Sequence, residues 1–517
     1  MTHQLDVSKL VGQFILGTSD VHIPNGWLIA RTGEWVLGRH SSLPGIRLHD
    51  DDDRHVGWLL GYPIDAEGKL WDGQEAMIVP GLAEWTSSRL EQFIYGFGGR
   101  FLVMLLGGRH PRLYLDPCGL LSLVYCTHQK IVASTPNLIP YDMQTGDRVA
   151  LALEMGIPYT NAMYPLWLTP RHNIERLLPN HYLDLGNWQG VRHWPKEPLH
   201  SEASVAEAAA TIATITKRNI AAVVSRTPTY LRLTAGQDSR MLLACAKDVA
   251  DRVELLTLPI PDDGASIDVD TARRIARWSR LRHIVPEFQK PKQEDLDEYM
   301  FRISYSTGEF RGWQAATMFK RINPAYAQLD GGVGGLERIG EILRPGETKF
   351  SKITPERLID RCLVPRSALM LSTFKRWLET VPVDNAFHIL DLFEIEQRLG
   401  CWAGIWAYAE CDGPGFVLLP MCHREIIERM MTLPTDIRLS GTLMKYIIEA
   451  EWPELLAWPF NKPVGFKKVS LAIRRTPRAL SFQADRARRR LVFQAGRVGM
   501  AMRNPELIFG KVRGVFF

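Results

Sequence analysis

The stretch Leu231-Arg-Leu-Thr-Ala-Gly-Gln-Asp-Ser-Arg-Met241 passes from an apolar strand through a loop of small residues directly into a helix, a succession that few folds accommodate. Thr229 to Leu233 supply the strand, and Thr234, Ala235 and Gly236 let the backbone approach a ligand closely. Asp238 and Ser239 start a helix predicted over Arg240 to Asp248, whose free N–H groups and positive dipole end favour bound phosphate. The loop is not of the Walker type, because it lacks the Gly-Lys-Ser/Thr ending.

The downstream segments extend the same architecture. Val253 to Leu258 reads as a second apolar strand, and Pro259 to Gly264 as a turn-rich loop. Ser266 to Leu281 reads as a helix, with Ile267, Ala272, Ile275, Ala276 and Trp278 at helical spacing. A third strand, Arg282 to Pro286, completes a β-α-β-α-β unit of the parallel, doubly wound type. Farther on, Leu329-Asp-Gly-Gly-Val-Gly-Gly-Leu-Glu337 places four glycines after another apolar strand, which indicates a second close backbone approach to a ligand.

Thr234-Ala-Gly-Gln-Asp-Ser239 resembles the Ser-Gly-Gly-x-Asp-Ser pyrophosphate loop of the asparagine synthetase family. Asp268, Ala272 and Ala276 reproduce the spacing of an Asp and two helical alanines in that family, and the 329–337 segment resembles its second glycine-rich, acidic loop. Gly96 to Val103, Tyr114 to Tyr125 and Leu177 to Leu183 resemble segments of the amidotransferase domain that precedes the synthetase domain. The resemblance covers about residues 50 to 465. It implies a glutaminase-like β-sandwich layered with helices over 1–195 and a doubly wound ATP pyrophosphatase domain with a helical C-terminal part over 196–465; a basic extension, read from its charge, follows over 466–517. The fold class is thus α/β plus α+β.

The implied activity is an AMP-forming carbon–nitrogen ligase that adenylates a carboxylate and lets an amine attack. Its cofactors would be ATP and Mg2+. Leu233, Thr234, Gly236, Asp238 and Ser239 would meet the nucleotide from the first loop, Thr257 and Leu258 from the second strand, and Gly331 and Gly332 from the second glycine loop. Asp238 and Glu337 would ligate magnesium, although this chain reads Gly-Gly-Leu-Glu where the family has Ser-Asp-Glu. Lys462, before Pro463 and Gly465, matches the lysine that stabilises the adenylation and amidation transition states, with Lys445 as the weaker match. Arg311 resembles a substrate-side arginine suited to gripping a carboxylate bidentately. Glu309 and Glu410 are candidate general bases for the amine.

One departure bears on the nitrogen source. The family's glutaminase uses an N-terminal cysteine, whereas this chain begins Met1-Thr2-His3 and has its first cysteine at Cys118. Thr2 is an alternative N-terminal nucleophile, but no apolar strand follows it. The expectation is therefore a glutaminase-like scaffold without glutaminase activity, with ammonia or another amine as donor. Ala235, Arg240 and the missing cysteine lean away from housekeeping asparagine synthesis and toward a tailoring enzyme. The alternative is a catalytically silent nucleotide-binding homologue acting as an interaction protein. A pyrophosphatase that activates a base on RNA is disfavoured by the absent zinc motif.

The seven cysteines are scattered and odd in number, which argues against a disulfide framework and for a reducing cytoplasm. No secretory signal or long apolar run is evident. The net charge of +5 conceals an uneven distribution: from Phe466 onward thirteen Lys or Arg face only Asp485 and Glu506. That tail reads as a solvated helix over the synthetase domain, or as a segment for an anionic membrane surface, nucleic acid or an acidic partner. The expected partners are a small-molecule or peptide carboxylate, an amine or ammonia, and a second copy of the chain. Ser201 to Ser225 reads as a linking helix, and Asp50 to Asp53 as a solvated loop.

Overall fold

The computed structural model describes residues 9–73, 75–79, 87–108, 110–199, 204–259 and 263–462, together with Ala484. The expectations for Thr2 and for the basic 466–517 tail, Ala484 apart, lie outside these residues. The chain folds as a mixed α/β structure with two largely antiparallel sheets in its first half and one parallel sheet in its second.

The first sheet has six strands, with Phe14–Gly17 between Ile131–Ala133 and Trp35–Arg39. The second has seven, centred on His55–Ile64 and Gly98–Leu105, which pair along eight residues from Gly57↔Leu105 to Ile64↔Gly98. Alternate residues of both sheets point inward. Phe14, Leu16, Trp35 and Leu37 from one meet Trp58, Leu60, Leu102 and Met104 from the other in one apolar layer. The opposite face of the seven-stranded sheet is covered by Leu90 and Ile94 of the helix Ser87–Tyr95. Asp50 accepts the Asp52 and Arg54 amides in the turn between two of its strands, consistent with the acidic run being a loop.

The second half opens with the helix Val205–Arg226, close to the expected linker. Ser201 and Glu202 are outside the described residues, and the N-cap Ser204 makes no side-chain capping bond. The five parallel strands lie in the order His283–Ile284, Val253–Leu256, Thr229–Arg232, Ala327–Leu329, Val417–Leu418. All four residues of the central strand are buried, as a parallel strand covered on both faces requires. In chain order this sheet reads 3-2-1-4-5, so the direction of progression reverses between Thr229–Arg232 and Ala327–Leu329. Ligands of open α/β sheets bind at the carboxyl ends of the strands at such a reversal. The two loops singled out in the sequence are the continuations of those two strands.

Several predicted boundaries shift. The helix after the first loop spans Gln237–Cys245 rather than starting at Arg240, so Asp238 and Ser239 lie within its first turn. Lys247–Arg252 continues as a separate 3-10 segment with a kink at Val249. The third strand contracts to His283–Ile284. Between Glu394 and Ala403 the chain forms a ten-residue π-helix, which hydrophobic periodicity does not reveal. The position near residue 195 is bridged by packing: Tyr62, Leu120, Leu178 and Trp194 share one apolar cluster with Leu231, Met241 and Trp377. No helix among the described residues is long and apolar enough to cross a membrane.

Candidate active site

The first loop is organised by its own hydroxyl groups. Ser239 Oγ accepts the Thr234 amide at 3.0 Å and lies 2.9 Å from Thr234 Oγ1, which in turn accepts the Gly236 amide at 3.1 Å. Asp268, noted for its spacing, accepts the Ala235 amide at 2.8 Å and fixes the loop from the neighbouring helix. The N-cap Gly236 has no side chain of its own to cap the Gln237–Cys245 helix. Asp238 of its first turn borders the cavity described below, and phosphate oxygens placed there would meet the amide end of the helix.

Arg240, the residue that follows the Asp-Ser pair, has a structural role. Its guanidinium donates to the carbonyls of Trp458 at 2.5 Å and Ala235 at 3.2 Å and lies 4.0 Å from the Phe460 ring. Burial pulls its pKa down to about 10. The Asn461 amide donates to the same Ala235 carbonyl at 3.1 Å. The segment carrying Lys462 is thus tied to the phosphate loop, and the exposed Lys462 follows directly on that tie. Lys445, on the helix Leu443–Glu451, lies 5.9 Å from the same Phe460 ring. Both candidate lysines therefore converge on one segment.

The strand-borne candidates are less accessible than their positions suggest. Leu233 is fully buried; its amide donates to Leu256 and its carbonyl accepts from Thr257 Oγ1 at 2.7 Å. Thr257 Oγ1 also sits 2.9 Å from His283 Nε2, and burial drops that imidazole to about 4, leaving it neutral near neutral pH. Leu258 is partly exposed beyond the strand end.

The second loop packs directly on the first. A Cβ added to Gly331 would stand 3.0 Å from the Asp238 Cβ, and one added to Gly334 would stand 2.7 Å from Asp238 Oδ1. Gly332 is partly exposed between Leu419 and the cavity. This cavity, of about 710 Å³, is bounded by Asp238, Gly332, Gly335 and Arg338 on the loop side. Met163 from the first half and Phe393, Gln397 and Arg398 around the π-helix form the far side.

An arginine lies against both Asp238 and Glu337, the two acids that the resemblance implies for magnesium. Arg338 grips Asp238 bidentately, with Nη1–Oδ1 at 2.6 Å and Nη2–Oδ2 at 3.0 Å, and its Nη1 lies 3.7 Å from Glu337 Oε1. Glu337 is fully buried, with the Arg338 guanidinium and the Leu443 backbone N–H beside its carboxylate. Burial pushes its carboxyl from the ordinary 4.5 up to about 7, outweighing Arg338. Among the described residues no cluster of three or more His, Cys, Asp or Glu side chains could hold a metal ion.

Glu337 makes stability pH-dependent. As pH rises from 4.5 to about 7 the unfolded chain ionises this group while the fold retains its proton, so the folded state loses stability over that window. Glu337→Gln should remove the loss, so the variant gains on the wild type between those values and the difference levels off above them. Urea titrations across the range are the measurement, and parallel profiles would contradict the assignment.

Beside the cradle lies a charge network that sequence reasoning missed. Arg232, on the central strand, contacts Asp330 at 3.0 Å, Glu410 at 2.6 Å and Gln328 at 2.7 Å. Burial alone would lower the Arg232 pKa, but Glu410 and Asp330 outweigh it and push it upward. Arg311 lies 3.7 Å from Glu410, hydrogen-bonds Gln314 at 2.7 Å, and packs at 4.7 Å and 4.9 Å from the rings of Trp402 and Trp406. Glu410 is consequently an acid held between two arginines. Glu309 is buried at the start of the helix Phe310–Arg321. The available signal for the network is an arginine inside an apolar parallel strand, since a buried charge demands a partner.

No protein-family model matches the chain, and no curated protein matches it. Among solved structures, an NMN synthetase from Francisella tularensis is similar at 12% identity, covering 38% of this chain and 93% of that one. Its TM-score is 0.19, too slight a likeness to argue from.

Proposed function

We propose that the chain is an ATP-dependent ligase: a substrate carboxylate attacks the α-phosphate, pyrophosphate leaves, and an amine then displaces AMP from the acyl-adenylate to give an amide. The observation that carries this reading is the helix N-terminus after Thr234-Ala-Gly-Gln at the reversal of a parallel sheet, faced by a second glycine loop. Thr234, Gly236 and Ser239 would meet the phosphates, and the backbone at Leu258 the adenine. The substrate would enter the cavity between Met163 and Phe393. Screening carboxylates for AMP release, with amines varied in a second step, tests the proposal. A folded protein that binds ATP yet forms no AMP with any carboxylate would remove it.

A second reading, a silent nucleotide-binding homologue, is favoured by one feature: Arg338 already occupies both oxygens of Asp238. ATP–pyrophosphate exchange separates the two, because a ligase of this kind catalyses it and a silent binder does not.

Lys462 is assigned to charge that develops in the transition state. Lys462→Ala should therefore lower turnover much more than it weakens ATP binding, by about a hundredfold for loss of a single aimed cation. Lys445→Ala, altering the same Phe460 surroundings from a helix, is the comparison. A larger loss of turnover in the Lys445 variant would exchange the two roles.

A further inference from the structure

We propose that Arg338, rather than a metal ion bridging Asp238 and Glu337, is the resident cation of the phosphate cradle: it fixes Asp238 and presents its remaining N–H donors to the nucleotide's phosphates. The proposal rests on the nucleotide reading above. Its basis is position. The guanidinium lies between the two acids that a bridging metal would require, at 2.6 Å and 3.0 Å from the oxygens of Asp238 and 3.7 Å from Glu337.

The surroundings hold it there. Glu341 Oε2 lies 3.1 Å from its Nε. The aliphatic stem crosses Gly441, where an added Cβ would stand 2.8 Å from Arg338 Cγ; Gly441 has a positive φ of 61°, so a larger residue would be strained as well as crowded. Its side chain is 12% exposed, enough to border the cavity. Gly335 leaves a gap between two guanidinium groups: an added Cβ would lie 3.8 Å from Arg338 Nη2 and 3.7 Å from Arg398 Nη1.

Charge and shape then agree. Without Arg338, the Asp238 carboxylate would face the phosphates uncompensated at the end of the helix. With it, the acid is neutralised, and a planar fork able to match phosphate oxygens replaces a point charge. The second glycine loop carries no acid at Gly334 or Gly335 to complete a metal shell. A resident arginine also needs no metal ligands beyond those that orient it.

Calorimetry with inorganic pyrophosphate, in EDTA and separately in Mg2+, tests the assignment on the full chain. Wild type should bind pyrophosphate in EDTA, and Arg338→Ala should weaken that binding by about tenfold or more, the loss expected for a charge-assisted hydrogen bond. Arg338→Gln, which keeps a polar contact without the charge, carries the same expectation if the alanine variant does not fold. Guanidinium ion added to Arg338→Ala should restore part of the affinity, which a purely structural role would not produce. Wild-type binding seen only in Mg2+, or undiminished binding by a folded variant in EDTA, would overturn the assignment while leaving the nucleotide reading intact. No binding in either buffer would overturn both.

Discussion

Asp238→Asn is expected to reduce substrate-dependent AMP formation by about a hundredfold or more while leaving the fold intact. The carboxylate sits in the first turn of the Gln237–Cys245 helix, 30% exposed at the edge of the cavity, so an isosteric amide fits without a cavity or a clash. What the substitution removes is the anchor of Arg338. An amide offers one acceptor oxygen where the carboxylate offers two charged ones, and the guanidinium would lose its bidentate registration. Misaligned cations cost most when charge builds on the phosphorus, so the loss should appear in turnover before it appears in ATP affinity. AMP measured by chromatography under substrate saturation is the test. Full AMP formation by a folded Asp238→Asn variant would take Asp238 out of the reaction.

The largest expected effect on stability lies elsewhere, at Glu396 on the π-helix. This fully buried carboxylate receives Arg192 Nη1 at 2.6 Å and Nη2 at 2.9 Å, the Asn180 amide at 2.8 Å and the Trp377 indole at 2.6 Å. Burial alone would raise its pKa, but Arg192 and the other donors outweigh it and hold the group ionised. Glu396→Ala strands a buried arginine, an indole and an amide together, and should cost about 3–5 kcal/mol in urea unfolding. Asp360→Ala, which opens the exposed pair with Arg366, should leave the unfolding midpoint almost unchanged, because water already screens both charges. Comparable losses in the two variants would mean that the Glu396 cluster is not a buried anchor.

The local grammar of the site is written in the sequence, and little of its long-range pairing is. A strand, a loop of small residues and a helix in immediate succession restrict the backbone so strongly that the loop from Thr234 to Ser239 is legible from spacing alone. The helix nevertheless begins at Gln237, so that Asp238 and Ser239 lie within its first turn rather than ahead of Arg240. Periodicity finds the helix carrying Asp268, and its contact with the Ala235 amide follows only from the fold. Arg338 on Asp238 and Arg232 on Glu410 join residues far apart in the chain; the apolar strand around Arg232 signals that it needs a partner but not which one, and no local pattern marks Arg338 at all. Glu410 is legible as an acid near the site but not as one already claimed by two cations. The π-helix is hidden for a different reason: its hydrogen-bond register departs from the period on which helix recognition depends.

Beyond the Glu396 cluster, the end of that π-helix meets the first half of the chain through glycines. A Cβ on Gly400 would stand 2.6 Å from Pro179 Cδ, and one on Gly404 would overlap the Gly119 carbonyl oxygen. Flexible side chains absorb sequence change by switching rotamers, whereas opposed backbones cannot. A first half transplanted from another protein would thus have to reproduce the path of the main chain at Gly119 and Pro179, not merely an apolar surface, before Gln397 and Arg398 could line the cavity from the other side.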